Sequence, residues 1–459
     1  MKAVPANKAL LLLLLLLLTP ETVAAPATTE TLRLIPLAVT GLAGTTQIIP
    51  PLAVKPAPTL WLRAQVQGTL AFLLAEIAAG NATMSRDLPN GALGSLLLQV
   101  APTRSAAGVI DVDCSGLNTS TAMMLLRRFG PRTDTSFNGQ SYPLIWHGYE
   151  RCLSPDDRAW LLDVLNASLP QTWAEATTQD YSYTNMFLMS AVNTILFGEI
   201  VGGNRGIFSA AIGYRMFNTW YNYTRLASIH EFTSPTYTHV QVTALHAGFI
   251  YAAGAGARAQ FRAALDLIWS DTCANYYPPQ ASLTGPHSRD YDTLLGHGIH
   301  DIEIYVHGLP GATPPRCEWQ DPHCEGPTEG AVNGTGEPMT VDAISFFNLV
   351  HPNGYAPTNR MLSLTSLPER TVQSKFLALA TTANGNEARF GDLYNFITDD
   401  YAIGSASQDY ITRTHGKYFP YVGDKLVNVL LGPLMHSGAE SHGRALPQIS
   451  LQPDWMDNP

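Results

Sequence analysis

Residues 185–200, NMFLMSAVNTILFGEI, and residues 207–226, IFSAAIGYRMFNTWYNYTRL, read as two consecutive helices of opposite character. The first carries Met186, Phe187, Val192, Ile195 and Leu196 nearly all round its circumference, which requires burial between other layers. The second is amphipathic. Arg215, Asn218, Asn222 and Arg225 fall at helical spacing on one face, and Asn222 opens an Asn-x-Thr sequon, as an exposed, glycosylated face should. A buried helix alternating with an outward one is what a ring of helical hairpins requires, so a mainly α fold is expected.

Working outward, residues 60–79 show one broad apolar face closed by Gly80, and helical patterning returns at residues 121–129 and 156–165. Ser154-Pro155 and Ser234-Pro235 are start signals, because serine caps free backbone N–H groups and proline costs nothing at the first helical position. The helix begun at Ser234 is expected to run to about residue 253, stopped by Gly254-Ala255-Gly256, with another over residues 258–269 and a short one over residues 341–350. Residues 81–120 read as loop-rich, and residues 270–298 and 310–340 as long irregular stretches, which inside a compact body are usually functional. Beyond Thr365 the pattern changes. Residues 376–380, 393–397 and 401–403 read as short strands between Gly, Asn and Asp turns, with no strong pattern after Gly438.

The chain opens with Lys2 and Lys8, a leucine run over residues 10–18, and small residues through Ala24 and Ala25. That order predicts a secretory signal peptide over residues 1–25, too short in its apolar core for a comfortable membrane span. Residues 26–58, rich in Pro and Thr, read as an extended arm, residues 59–366 as the helical body, and residues 367–459 as a small β-rich region with an irregular tail. Sequons at Asn81, Asn118, Asn166, Asn222 and Asn333 fit a secreted glycoprotein without a membrane partner once the leader is cleaved. The five cysteines suit an oxidising compartment; Cys317 with Cys324 is the easiest pair and Cys114 with Cys152 the next. No CxxC pair points to structural zinc, and no cofactor is indicated. A hydrophobic content of 46% supplies a large core, and a net charge of −10 argues against nucleic acid as partner.

The chemistry gathers around Ser234. His230 and Glu231 precede the helix and Tyr237 stands in its first turn, where the positive end of the helix dipole favours a developing anion. The bland alternative is a capped helix with Tyr237 packed and the other two solvated. His239, Thr243 and His246 share a helix face that either lines a cleft or is the wetter side. His300, Asp301 and Glu303 invite a metal reading that adjacency disfavours, since neighbouring side chains diverge.

Tyr183-Thr184-Asn185 opening a buried helix, EFTSPTY over residues 231–237, GPHSRDYD over residues 285–292 and DYAIGS over residues 400–405 resemble the heparinase II/III-like and alginate-lyase-like (α/α) toroid polysaccharide lyases. The resemblance covers roughly residues 181–407. It implies a toroid of helical hairpins followed by a small antiparallel β unit, and β-elimination on uronic-acid polysaccharides. In that chemistry a carboxylate is neutralised by Asn, Arg or His donors while Tyr or His removes the C5 proton. The resemblance implies Asn185 and Arg289 for the carboxylate and Tyr237 for proton transfer. His239, with His230 or His287, is the implied second base, and Tyr291 a reserve acid. Each has a structural alternative: a cap for Asn185, a pair with Asp290 or Asp292 for Arg289. Two other functions compete. One is a glycoside hydrolase using Glu231 with Asp290 or Asp292, which the net negative charge favours. The other is a non-catalytic matrix protein stacking sugars on Trp220, Trp269, Tyr276 and Tyr277.

Overall fold

The computed structural model describes residues 38–41, 57–80, 87–105, 110–130, 136–178, 183–225, 229–231, 233–234, 237–278, 282–288, 342–382, 385–407, 427–431 and 449–451. The described protein is mainly helical with a small antiparallel sheet. In chain order the elements are β1 (Ala38–Gly41), α1 (Ala57–Ala78), α2 (Leu88–Leu97), β2 (Thr103–Arg104), β3 (Ile110–Asp111), α3 (Ser120–Phe129), α4 (Ser136–Gly139), α5 (Ser141–Tyr149) and α6 (Pro155–Thr178). Then follow α7 (Thr184–Val201), α8 (Gly203–Thr224), α9 (Tyr237–Tyr251), α10 (Ala255–Asn275), β4 (Tyr276–Tyr277) and β5 (Ser282–Leu283). The last are α11 (Asp342–Val350), α12 (Asn359–Leu364), β6 (Arg370–Thr382), β7 (Gly385–Ile397), β8 (Tyr401–Ala406), β9 (Val427–Leu431) and β10 (Ile449–Leu451).

Buried and outward helices alternate as the patterning requires. α7 is buried over most of its length, and α8 packs along it while exposing Arg215, Asn222 and Arg225. By length and composition α7 could cross a membrane, but 78% of that window is buried inside the protein, the condition of a core helix. α2, α5, α7, α9 and α11 carry buried residues on most sides, and each packs on the next, with α11 returning to α2 and α1. α6 begins as expected: the Asp157 N–H donates to Ser154 Oγ at 3.1 Å, and Ser154 Oγ donates to Asp157 Oδ2 at 2.8 Å.

Three expectations are corrected. Residues 81–120 are not all loop, because Leu88–Leu97 forms the wholly buried α2. Its sequence LPNGALGSLL has poor helix propensity, but its glycines let α1 approach: a Cβ on Gly91 would stand 2.5 Å from Leu73 Cδ1, and one on Gly94 2.8 Å from Val66 Cγ1. α5, likewise interrupted by Pro143 and Gly148, forms between two expected helices, and α6 continues through Pro170 to Thr178. The strands are longer than their sequence signals. β6 and β7 are 13 residues each and pair antiparallel in register along their whole length.

The six-stranded sheet runs β1-β6-β7-β8-β9-β10, each pair antiparallel, so the extended arm supplies its edge strand. Burial alternates with period two: Arg370, Val372, Ser374 and Phe376 on β6 and Leu393, Asn395 and Ile397 on β7 are covered, with exposed or half-buried residues between them. Three of these covered residues are polar, which marks this face as more than a hydrophobic lid. Arg370 joins sheet to helices. Its Nε donates to Ala274 O at 2.8 Å, Nη1 to Leu367 O at 2.7 Å and Nη2 to Tyr276 O, so a buried cation sits at the carbonyl end of α10, where the dipole favours it.

Cys114 and Cys152 form a disulfide, the second of the two expected pairs; Cys317 and Cys324 lie outside the described residues. Cys273 is a free, buried thiol that burial pushes up to about 12.

Candidate functional site

The start of α9 is built by Ser234, whose Oγ accepts the Tyr237 N–H at 3.0 Å while its carbonyl accepts the Thr238 N–H at 3.1 Å. This leaves Tyr237 half-buried in the first turn. The preceding residues turn inward: His230 and Glu231 are each 1% exposed. Glu231 is therefore not the solvated carboxylate of the bland alternative. Its Oε2 accepts the Asn185 backbone N–H at 2.9 Å and Gln241 Nε2 at 3.0 Å. A single oxygen thus fastens the N-terminal turn of α7 to the second turn of α9, and the positive end of α7 stabilises its charge. Gln241 stands one turn beyond Tyr237, so both project from one side of α9.

Thr233, between Glu231 and Ser234, has φ +39°. Among the described residues it is the one non-glycine in the left-handed region, a strained conformation for a β-branched side chain. Its hydroxyl donates to Pro286 O, tying this loop to residues 282–288. His287 in that segment is buried and donates from Nε2 to Leu283 O at 3.2 Å. Phe376 of the sheet covers the cluster from the other side, its ring edge-on to His230 with centroids 5.9 Å apart. The N-terminal ends of α7 and α9, the 282–288 segment and the sheet therefore meet at one place.

Of the expected site residues, the structure brings Asn185, His230, Glu231, Tyr237 and His287 to this meeting point. Asn185 is wholly buried in the first turn of α7. His239 lies a half-turn beyond Tyr237 and is buried, as are Thr243 and His246, so that helix face is not a wet surface. Thr243 Oγ1 donates to Val240 O at 2.9 Å and lies 3.3 Å from Gln140 Oε1; the His246 ring lies 5.8 Å from that of Tyr355. Trp269 and Tyr276, expected to hold sugar, are 1% and 0% exposed, and Trp220 and Tyr277 are equally covered. Their ring faces are used up in the core and offer no platform to a polymer. Arg289, Asp290, Tyr291 and Asp292, with His300, Asp301 and Glu303, lie outside the described residues. Among the described residues no group of three metal-ligating side chains gathers.

Sequence reasoning missed Gln241, Thr233, Asp271, Asn275, Thr284 and Asn395. Only Gln241 carries a local signal, its helical spacing from Tyr237. Asp271, buried near the end of α10, has its carboxyl raised to about 7 by desolvation, and its Oδ1 accepts Asn275 Nδ2 at 3.3 Å.

A second polar cluster lies where α5, α9 and α11 end. The His147 ring stacks on Tyr251 with centroids 4.5 Å apart, and Tyr251 Oη lies 3.3 Å from His351 Nε2. The Asn353 N–H donates to His351 Nδ1 at 3.1 Å, so the neutral ring carries its proton on Nε2.

Residues 135–306 match a family described as "Domain of unknown function (DUF8769)". That window contains Asn185, His230, Glu231, Tyr237, His239 and His287, while Asn395 and the rest of the sheet lie beyond it. Comparisons with curated proteins and with solved structures give no match.

Proposed function

We propose that the protein is a secreted polysaccharide lyase cleaving uronic-acid glycans by β-elimination, on an (α/α) toroid closed by the sheet. The toroid reading rests on the cyclic packing of α2, α5, α7, α9 and α11. It is also supported by their direction: the starts of α7 and α9 meet through Glu231, and the ends of α5, α9 and α11 meet through Tyr251. The observation that carries the catalytic reading is Tyr237. It is a partly exposed phenol in the first turn of α9, packed against the hydrophobic core on the helix that also carries Gln241 and follows the buried His230 and Glu231. There the helix dipole stabilises the phenolate, which takes the C5 proton, and the phenol so formed returns that proton to the leaving oxygen. Glu231 acts by fastening α7 to α9, so the start of each helix keeps its place relative to the other.

The test is turnover of a panel of uronic-acid and neutral polysaccharides, followed by ultraviolet absorbance and reducing ends together. Lyase action raises both, because elimination leaves an unsaturated uronyl end, and Tyr237→Phe lowers both by about a hundredfold or more. Reducing ends without absorbance would overturn the lyase reading in favour of hydrolysis. Glycan binding with neither signal would overturn catalysis.

A further inference from the structure

The 282–288 segment borders the proposed site, and its position is set from strand β7 and the end of α10. The Thr284 N–H donates to Asn275 O at 2.8 Å. Asn275 Nδ2 donates back along its helix to Asp271 O at 3.0 Å, and its Oδ1 accepts Asn395 Nδ2 at 3.0 Å across 120 residues of sequence. The Asn395 Oδ1 lies 3.5 Å from Thr284 Oγ1. Asn275, Thr284 and Asn395 are all buried. Directly across the ladder from Asn395 stands Gly404, and Gly285 packs on its bare Cα; a Cβ at residue 404 would collide with Gly285 Cα and stand 2.8 Å from Pro286 N. Gly285 itself has φ +101°, which a side chain would oppose. The consequence reaches His287. Its Nε2 bonds to a carbonyl, which only accepts, so Nε2 holds the proton and Nδ1 is the basic nitrogen of the neutral ring.

We propose that Asn395 is a positioning residue of the site: through Asn275 and Thr284, with Gly404 beside it, it fixes the 282–288 segment and holds His287 as its Nε2–H tautomer. This rests on the reading of that place as catalytic, and it makes the sheet a working wall of the site. A buried amide kept only to satisfy its neighbours would leave the imidazole unaffected.

The test uses the whole chain with ¹⁵N-labelled histidine, His287→Gln supplying the assignment. Wild type, Asn395→Leu and Gly404→Ala are compared, with Asn395→Ser, which keeps a donor in less volume, in reserve should the leucine variant not fold. The wild-type His287 is expected to show the nitrogen shifts of an Nε2–H ring. In the variants it moves to the tautomer mixture of a solvated imidazole, while circular dichroism stays helical. An unchanged His287 spectrum in a folded variant overturns the proposal. If the wild type turns over a glycan, Asn395→Leu lowers kcat about tenfold or more with KM little altered, as misplacement of a catalytic group does. If it turns over none, the enzymatic reading fails while the imidazole spectrum still decides what Asn395 does.

Discussion

Asp271 shows how a single buried group connects stability to pH. Desolvation raises its carboxyl to about 7, against an ordinary value of about 3.9 in the unfolded chain. Between those values the folded protein holds a proton that the unfolded chain has released, so this group's contribution to stability falls as pH rises from about 4 to about 7 and is level above. The integrated loss is on the order of 4 kcal/mol. Asp271→Asn removes the titration and keeps an oxygen to accept from Asn275 Nδ2. The variant is expected to match wild type near pH 4 and to exceed it at pH 8. Denaturant titrations at several pH values read that difference, and parallel curves for the two proteins would contradict the assignment. Glu231 is the contrasting case. It is also buried, yet two N–H donors and a helix terminus meet its oxygen where Asp271 has mainly an amide.

Among the elements, α9 depends most on a single cap. Ser234 supplies both the hydroxyl and the carbonyl that close its first turn, so Ser234→Ala is expected to cost about 1 kcal/mol and Ser234→Thr to recover most of it. Thermal melting of the pair checks this; equal midpoints for the alanine variant and wild type would show the cap to be idle. The same cap explains what could be read in advance. Ser234-Pro235 is a local signal, and so are the apolar and amphipathic periods of α7 and α8, because a helix writes its neighbours into spacing. α2 and α5 were hidden because their glycines are justified by packing against α1 and α11, which no local window contains. The polar cluster divides the same way. His230, Glu231 and Tyr237 are adjacent to the start signal, whereas Asn275 meets Asn395 only after the sheet has folded onto α10. The buried state of Trp269 and Tyr276 was equally invisible, since an aromatic residue before a loop has the same sequence whether it faces glycan or core.

At the scale of the whole molecule, the question is whether sheet and helices act as one unit, since the proposed site needs both. The apolar contact between them is modest: Ala274 of α10 and Tyr277 of β4 pack with Val372, Ile397 and Ala402 of the sheet. Arg370 adds three hydrogen bonds to carbonyls from a side chain that is 2% exposed. Burial lowers its pKa to about 10, leaving it charged at neutral pH against the negative end of α10. Arg370→Met keeps the stem but removes all three hydrogen bonds from a charged donor, at about 1.5–3 kcal/mol each. Arg370→Lys supplies charge without the planar fork and recovers only part. The methionine variant is expected to lose several kcal/mol of coupling, seen as protease cleavage within residues 365–369 at temperatures where circular dichroism still reports intact helices. Wild type should resist cleavage there until the helices melt. Cooperative melting of the methionine variant at the wild-type midpoint, with the same resistance, would mean that the apolar contact alone holds the sheet. The wall proposed for His287 would then not depend on Arg370.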